Sequence, residues 1–382
     1  MSAEGQTSTS AVAAPAPPPL LREARFEDYP QIYRLESTFF DDSLPPAERQ
    51  SLFVDNPLWP RLRDTWPIGW VLENADGQIV GSVNNIPSSY QFAGEELICG
   101  NGHCWAVLDG YRGYATMLMD EYFSQVGPDL LISSKVGADA APIWSAYAHR
   151  VPVGDWSTAA YTITHYASFA RAALARKGVP LARALALPAA AALRLKDAVA
   201  AKALPDGPRD VEFREVDGFD ARFDAFWHEL VAQDPNRLTG VRDAATLRWH
   251  YGIPLRRGRV WVVAALRDGL LRGYCVLKKH HRPPDVSSMK IVDFQTLEPG
   301  SDLLAGLLKP ALRRSAAENC SFIEHHGVGL PKLASFEAIA PYRAPKPSWS
   351  FFYYTDNAAL EGRLADPDVW DPSEYDGDSA YK

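Results

Sequence analysis

The chain has 382 residues, of which 47% are hydrophobic and 23% are charged, and its formal net charge is −8. This length suits two domains better than one, and the composition is ordinary for a globular protein. The acidic balance argues against a broad nucleic-acid-binding surface, which needs an excess of lysine and arginine.

The N-terminal twenty residues carry no lysine or arginine ahead of their apolar stretch, which makes them a poor signal peptide. Their serine, alanine and proline content predicts a disordered leader over residues 1–20. No apolar run approaches the roughly 18 residues of a membrane span. We therefore expect a cytoplasmic protein with no stable membrane insertion.

The first elements predicted after the leader are a strand and a helix. Residues 21–28 alternate as a short strand, and the next helix begins near Asp28, a plausible cap, with Pro30 in its first turn. The Trp- and Pro-rich residues 56–67 then predict an irregular surface segment.

A β-hairpin with its turn at Asp76-Gly77 follows over residues 69–85, and a second one turns at Asp268-Gly269 within residues 260–279. In both hairpins a tryptophan-led strand precedes the turn. A further glycine, Gly81 or Gly273, stands four residues after the turn glycine. This repetition predicts an internal duplication.

The elements after each hairpin repeat as well. A strand (residues 101–108 or 289–297), a helix (115–126 or 302–318) and another strand (129–134 or 321–326) follow in the same order. We therefore predict two copies of one α/β unit, each a mixed sheet with flanking helices.

Alanine, leucine and arginine dominate the connection between the copies. It predicts two or three short helices, broken at residues 178–180 and at Pro188. A basic amphipathic helix here suits a membrane surface, and packing between the halves is the simpler role. The predicted division is a leader (1–20), an N-terminal domain (21–165), a helical connector (166–210), a C-terminal domain (211–345) and an aromatic, then acidic, tail (346–382).

The strand-to-helix turn in "VLDGYRGYATMLMDEYF" lacks bulky side chains where the helix begins. A helix N-terminus directs free amide N–H groups and a positive dipole end forward, which suits a pyrophosphate. Gly113 and Ala115 leave room for its approach, and Arg112 adds a positive charge. The alternative is a turn that simply packs tightly.

This segment resembles the acyl-CoA pyrophosphate loop, Q/R-x-x-G-x-G/A, of the GNAT superfamily of N-acyltransferases. Gly110 stands where the family usually has Gln or Arg. If the motif is instead aligned to start at Arg112, Ala115 and Met117 stand where the family has its two glycines. The resemblance covers roughly residues 20–165, and 211–330 as a weaker copy. It implies two GNAT-like α+β domains and a site for acetyl-CoA or another acyl-CoA at Val107, Leu108, Arg112, Gly113, Tyr114, Ala115 and Thr116.

In the second copy the corresponding turn departs from the pattern. Gly300 and Gly306 are too far apart for the motif, and Glu298 and Asp302 would repel a phosphate. We expect this copy not to bind the cofactor. The segment "RDAATLRWHYGIP" resembles tandem GNAT-like proteins of bacterial polysaccharide or secondary-metabolite assembly.

Transfer from a thioester to an amine needs a base and often an acid for the leaving thiolate. His103, on the strand that enters the loop, is the predicted base, or a water acts instead; a hydrogen-bonded core histidine is the alternative. Tyr147 is the predicted acid, and a surface-packed ring is its alternative. The weaker candidates are Ser145, His149, Glu95, Glu96 and the pair His325-His326.

Metal and nucleic-acid partners are not expected. Cys99, His103 and Cys104 invite a metal site, but no second ligand pair stands at zinc-site spacing, so four reduced, buried cysteines are the expectation. Glu324 beside His325-His326 does not change this, because adjacent strand residues point to opposite faces.

The leading hypothesis is an acyl-CoA-dependent N-acyltransferase that modifies the amine of a small metabolite, amino acid or amino sugar. A second hypothesis is a catalytically silent GNAT-like binding or scaffold module. A third, a transferase that uses aminoacyl-tRNA, conflicts with the acidic charge.

Overall fold

The computed structural model describes residues 17–41, 43–152, 158–200, 204–282, 286–326, 332, 335–336, 339–345, 350–377 and 381. These residues form two mixed β-sheets with helices packed on their faces, which confirms the predicted α+β fold class. The first sixteen residues of the expected leader lie outside this description.

The first sheet contains strands Leu20–Glu23 (β1), Gly69–Glu73 (β2), Ile79–Phe92 (β3), Glu95–Val107 (β4), Leu130–Val136 (β5), His149–Arg150 (β6), Thr239–Gly240 (β9) and Ser350–Tyr354 (β15). The second contains Thr158–Ile163 (β7), Glu212–Val216 (β8), Val260–Arg267 (β10), Leu270–Arg282 (β11), Val286–Thr296 (β12), Phe322–His326 (β13) and Tyr342–Pro345 (β14). The helices are Tyr29–Glu36 (α1), Pro46–Val54 (α2), Trp59–Leu62 (α3), Ala115–Ser124 (α4), Ala141–Tyr147 (α5), Tyr166–Arg176 (α6), Ala182–Ala200 (α7), Ala221–Gln233 (α8), Ala244–Arg256 (α9), Asp302–Ala317 (α10) and Ala358–Leu364 (α11).

The two sheets have the same strand order, and each contains strands from the other half of the chain: β9 and β15 in the first sheet and β7 in the second. The first runs β1-β2-β3-β4-β5-β15-β6 and the second β8-β10-β11-β12-β13-β7-β14. β15 and β7 thus take the same place, next to the fifth strand of the other sheet. Sheet membership therefore does not follow the sequence-based division at residues 165 and 346 for these two strands, since pairing across the halves leaves no local signal.

Both hairpins turn at the predicted Asp-Gly pairs and share one further irregularity. Gly81 pairs with Leu72 and Gly273 with Ala265, and in both hairpins the register shifts immediately beyond that pair. A glycine beside a β-bulge is a recurrent arrangement. The shared bulge position supports the predicted duplication.

Two segments differ from their predictions. Residues 56–67 contain α3 and bury Asn56 and Trp66, whose indole N–H donates to the Asn85 carbonyl at 2.9 Å. This segment packs at the edge of the hydrophobic core of the first sheet, whereas the sequence predicted an irregular surface segment. α7 continues through Pro188, so the connector breaks at Gly178, where φ is +67°, and not at the proline.

The helical connector packs on the second half through α6. The Phe169 ring contacts the rings of Tyr161 and Phe322, and the hydroxyls of Ser168 and Ser321 are hydrogen-bonded. None of the described helices is long and apolar enough to cross a membrane.

Candidate active site

The strand-to-helix turn at Arg112 is short, exposed and open. Residues Asp109–Tyr114 form a 3₁₀ turn that leads directly into α4. A Cβ added to Gly113 would have none of the described atoms within 4 Å, and the φ angle of Gly113 is not positive. Neither packing nor backbone conformation therefore explains this glycine. The space beside the Gly113 Cα atom is open.

The other residues predicted at this turn have mixed environments. Arg112 and Thr116 are exposed, and Arg112 forms an exposed ion pair with Asp109 at 2.8 Å, which contributes little to stability. Ala115 is buried in the core beneath α4. Its N–H donates to the Arg112 carbonyl, so a phosphate would receive this amide only if the 3₁₀ turn opened.

The two residues before the turn belong to the sheet. Val107 pairs with Gly81, and the Leu108 N–H donates to the Val80 carbonyl at 2.9 Å. Both residues therefore fix the position of the turn. The Leu108 amide is bonded to β3, whereas Val107 is at a non-hydrogen-bonded position of that ladder, so its N–H is directed away from β3.

The sheet opens next to this turn. β4 and β5 pair in parallel only from Cys99 to Asn101, and beyond Asn101 each strand continues without pairing with the other. The Tyr122 hydroxyl lies at the fork, 2.8 Å from the Gly100 carbonyl oxygen and 3.0 Å from that of Ile132. The Ser133 hydroxyl also donates to the Gly102 carbonyl at 3.2 Å, so side chains bridge the fork where the two strand backbones are no longer paired with each other.

A β-bulge lies on β4 within the open part. His103 pairs with Asn84 and Ala106 with Ser82, so two residues of β4 oppose Val83 alone. One of them, Cys104, has φ of +50°, a conformation that costs a non-glycine residue about 1–3 kcal/mol. Bulges turn backbone groups out of the ladder and are frequent beside active sites. This one places backbone amides near the fork, where a thioester carbonyl would need donors.

Buried polar groups hold this bulge. Glu36 and Arg49 form an ion pair that is almost fully buried, and the Asn84 amide donates to Glu36 at 2.8 Å and to the His103 carbonyl at 3.1 Å. The network ties α1 and α2 to the strands on both sides of the bulge.

The two predicted catalytic residues lie on opposite faces of the first sheet. His103 is 1% exposed and its ring is perpendicular to that of Tyr381, 5.9 Å away, on the face toward the second half. Tyr147 lies on the α4 face, where it stacks on Phe123 and donates to Asp120 at 2.6 Å. That hydrogen bond raises the pKa of Tyr147 to about 12. The structure therefore does not bring the two side chains together directly.

The weaker candidates have structural partners. Ser145 donates to the Ala141 carbonyl, His149 is exposed beside Glu361, and Glu96 pairs with Arg61 at the far end of β4. The His325 ring stacks on Phe336 at 3.9 Å. Only the backbone of His326 is described.

The four cysteines are buried and unpaired. Burial raises the pKa of the Cys99 and Cys275 thiols, so neither is a reactive thiolate. The described residues hold no group of three His, Cys, Asp or Glu side chains arranged for a metal ion.

A cavity between the halves reaches the fork from the second half. It has room for about one water molecule, and part of the space around it is open to solvent. Asn101, the last β4 residue that pairs with β5, lines it together with a hydroxyl- and ring-rich set: Ser88, Ser89, Tyr90, Thr246, His250, Tyr375 and Tyr381. Its walls combine aromatic rings with hydroxyl and imidazole groups that can form hydrogen bonds.

His250 is the side chain in this cavity that the sequence argument missed. It is 7% exposed, and its Nδ1 has no hydrogen-bond partner among the residues described. Burial, and secondly the charge of Arg242, lowers its pKa to about 3, so the imidazole is neutral. The only available signal was its place in "RDAATLRWHYGIP", which α9 contains.

A buried charge network holds the cavity walls. The Arg242 guanidinium, fully buried, contacts Asp293 at 3.2 Å and Asp376 at 3.8 Å, and it lies over the Tyr375 ring. Asp376 in turn accepts a hydrogen bond from Tyr90 of the first half at 3.0 Å. Residues 371–377 are thereby fixed between the halves.

Solved N-acyltransferases have this fold. A probable N-acyltransferase from Enterococcus faecalis, of unknown function, matches with a TM-score of 0.54 and 12% identity over 88% of this chain and 72% of its own. A GCN5-related N-acetyltransferase from Anabaena variabilis matches with 0.50 and 10%, over 88% and 73%. The Saccharomyces cerevisiae N-myristoyltransferase with bound myristoyl-CoA matches with 0.53 and 12%, over 92% and 87%.

No family model matches the chain, and no curated protein matches its sequence. At 10–12% identity the structural likeness shows the fold alone. It confirms the GNAT resemblance at that level, and it covers most of the chain, as the predicted pair of copies requires.

Proposed function

We propose that the protein is an acyl-CoA-dependent N-acyltransferase with its CoA site in the first half. The observation that carries the proposal is the turn at Gly113, which is open without a structural reason and lies at the end of a forked, bulged strand. A pyrophosphate at the turn would direct the pantetheine arm into the fork between β4 and β5. The acyl-CoA-binding neighbour supports this cofactor class.

The acceptor amine enters from the cavity between the halves. The hydroxyl groups and the neutral His250 in its lining favour an amine acceptor, such as a small metabolite, an amino acid or an amino sugar. The cavity has to widen to admit it, since it now has room for about one water molecule. The amine nitrogen attacks the thioester carbonyl, a C–N bond forms, and the C–S bond to CoA breaks. Acetyl is the simplest acyl group, and longer chains belong in the same test.

Two histidines face this side of the fork. The unpartnered Nδ1 of neutral His250 orients the amine by accepting a hydrogen bond, and His103 or a water takes the proton that the amine loses. The proton for the CoA thiolate comes from Tyr147 in this scheme. That step requires the Tyr147 hydroxyl to leave Asp120 and turn toward the fork.

A second candidate function is a catalytically silent module of this fold that binds a metabolite or a partner protein. Two observations favour it: Gly110 replaces the usual Gln or Arg, and the Ala115 amide is already hydrogen-bonded. Binding of an acyl-CoA donor distinguishes the N-acyltransferase from the catalytically silent module.

The first test is thermal unfolding with acetyl-CoA, myristoyl-CoA and free CoA. At a hundredfold excess over the dissociation constant, binding adds about 2.7 kcal/mol of stability. Gly113→Glu should abolish the increase in melting temperature. The matched control is Gly362→Glu, because Gly362 is also exposed and also has no described atom within 4 Å of an added Cβ.

An increase that Gly113→Glu loses and Gly362→Glu keeps supports the CoA site. No increase with any CoA species contradicts the proposal. If CoA binds, His250→Gln should keep that increase but lower the rate of amine acylation by roughly a hundredfold. Unchanged acylation would remove His250 from the acceptor site.

A further inference from the structure

The outer face of the connector helix α7 is unusually apolar. Ten large hydrophobic side chains are exposed among the described residues, and half of them lie within residues 181–199. These are Leu181 (77% exposed), Leu185 (44%), Leu187 (71%), Leu195 (66%) and Val199 (76%). Exposed apolar side chains concentrated on one element mark an interaction surface.

Helical geometry puts these side chains on one arc. At 100° per residue, an arc of about 160° on the solvent side of α7 and the residue before it contains no polar residue. Its members are Leu181, Ala184, Leu185, Leu187, Pro188, Ala191, Ala192, Leu195, Ala198 and Val199. The opposite side packs inward: Ala186 and Ala190 are buried, and Asp197 accepts hydrogen bonds from Tyr166 and Tyr342.

Basic side chains border the apolar arc. Arg183 and Arg194 lie along one border and Lys196 along the other. Residues 166–200 contain six basic residues and one acidic residue, in a chain whose net charge is −8. Long basic side chains beside an apolar face extend their charges to the headgroups while the apolar face enters the acyl boundary.

We propose that this surface, called here the α7 face, binds an anionic membrane with α7 parallel to the bilayer plane. The charge complementarity favours anionic lipid over a second copy of the chain, since two α7 faces would bring their basic borders together. The binding is peripheral, because none of the described helices can span a bilayer. It does not depend on the proposed acyl transfer.

The test is sedimentation of the full chain with vesicles, without any CoA. Vesicles with about one-third phosphatidylglycerol in phosphatidylcholine should bind the protein, and pure phosphatidylcholine vesicles should bind it far less. Leu187→Gln with Leu195→Gln should lower partitioning by roughly tenfold or more. The matched control is Leu20→Gln with Leu270→Gln, which removes two leucines of similar exposure (62% and 61%) elsewhere.

A second variant tests the charge. Arg183→Gln with Arg194→Gln should weaken binding to anionic vesicles and reduce its salt dependence. Circular dichroism and the melting temperature check that each variant is folded, since all four altered α7 positions are exposed. Absence of wild-type binding to anionic vesicles overturns the proposal. So does a concentration-dependent dimer in sedimentation velocity that the α7 leucine variant abolishes, because the occupant would then be a second copy.

Discussion

The strand-to-helix turns of the two halves differ in what explains their glycines. In the second half, Gly300 has φ of +96°, and a Cβ on Gly306 would lie 2.2 Å from the Phe213 ring. In the first half, Gly113 has neither a positive φ nor a described neighbour. In the second half the backbone conformation or the packing requires glycine, and in the first half neither does. A ligand at the first turn would explain the glycine there.

Charge separates the two turns as well. Glu298 lies at the second turn and forms ion pairs with Arg267 and Arg272. The two guanidinium groups near this turn are therefore already paired with a carboxylate. Arg112 at the first turn has only the exposed Asp109. At the first turn an anionic ligand would compete for Arg112 with the exposed carboxylate of Asp109. At the second turn it would compete with Glu298, which two arginines hold.

The forks of the two sheets differ as well. In the second sheet β12 and β13 pair only from Ser288 to Ile291, and the space beyond is filled. Lys332 donates to the Phe294 carbonyl and to Asp371, while Phe336 stacks on His325. The first fork is bridged by the hydroxyls of Tyr122 and Ser133, whereas the second holds the ammonium group of Lys332 and the ring of Phe336.

The largest effect is expected where the two halves are joined. Arg242→Met should lower the free energy of unfolding by about 3–5 kcal/mol, because it leaves the buried carboxylates of Asp293 and Asp376 without their cation. The measurement is urea unfolding. The control is Arg222→Met, which removes an exposed pair with Asp220 and should cost about 1 kcal/mol or less. Equal losses in the two variants would show that the network does not hold the halves.

A matched pair of glycine variants tests the comparison of the turns. Gly306→Ala should lower stability by about 1–3 kcal/mol, because its methyl group would overlap Phe213. Gly113→Ala should leave stability unchanged or raise it by up to about 1 kcal/mol. Thermal unfolding measures both. Equal destabilisation would mean that the first turn also needs its glycine for packing.

The pH dependence of stability tests His250 against an exposed histidine. Its folded pKa is about 3 and its reference value is 6.5, so between these values the unfolded chain binds a proton that the folded chain does not. Stability from this residue is complete above about pH 6.5 and is lost as the pH falls, by about 1.4 kcal/mol per unit.

His250→Gln should therefore flatten the stability profile between about pH 4 and 6.5, measured by urea unfolding at several pH values. His149→Gln, which alters an exposed side chain, is the control. A wild-type slope that survives in His250→Gln would show that other groups produce it.

The sequence predicted those features that short-range patterns encode. The Asp-Gly hairpin turns, the repeated order of strand and helix, and the different turns after β4 and β12 all follow from spacing within about ten residues. The expectation that Glu298 disfavours a phosphate at the second turn stays a prediction, and Arg267 and Arg272 form ion pairs with that carboxylate. The roles of His103 and Tyr147 stay predictions, and their placement on opposite faces of the sheet could not be derived from sequence.

By itself the sequence determined the repeated unit, because hydrophobic periodicity and turn residues act locally on the backbone. Tertiary packing alone specified which sheet β7 and β15 join, where β4 and β5 separate, and that His250 and Asn101 line the same cavity. The fully buried Arg242 illustrates the reason: its partners lie 51 and 134 residues away in the chain. Contacts at such separations depend on the free energy of the whole packed molecule, and no local pattern specifies them.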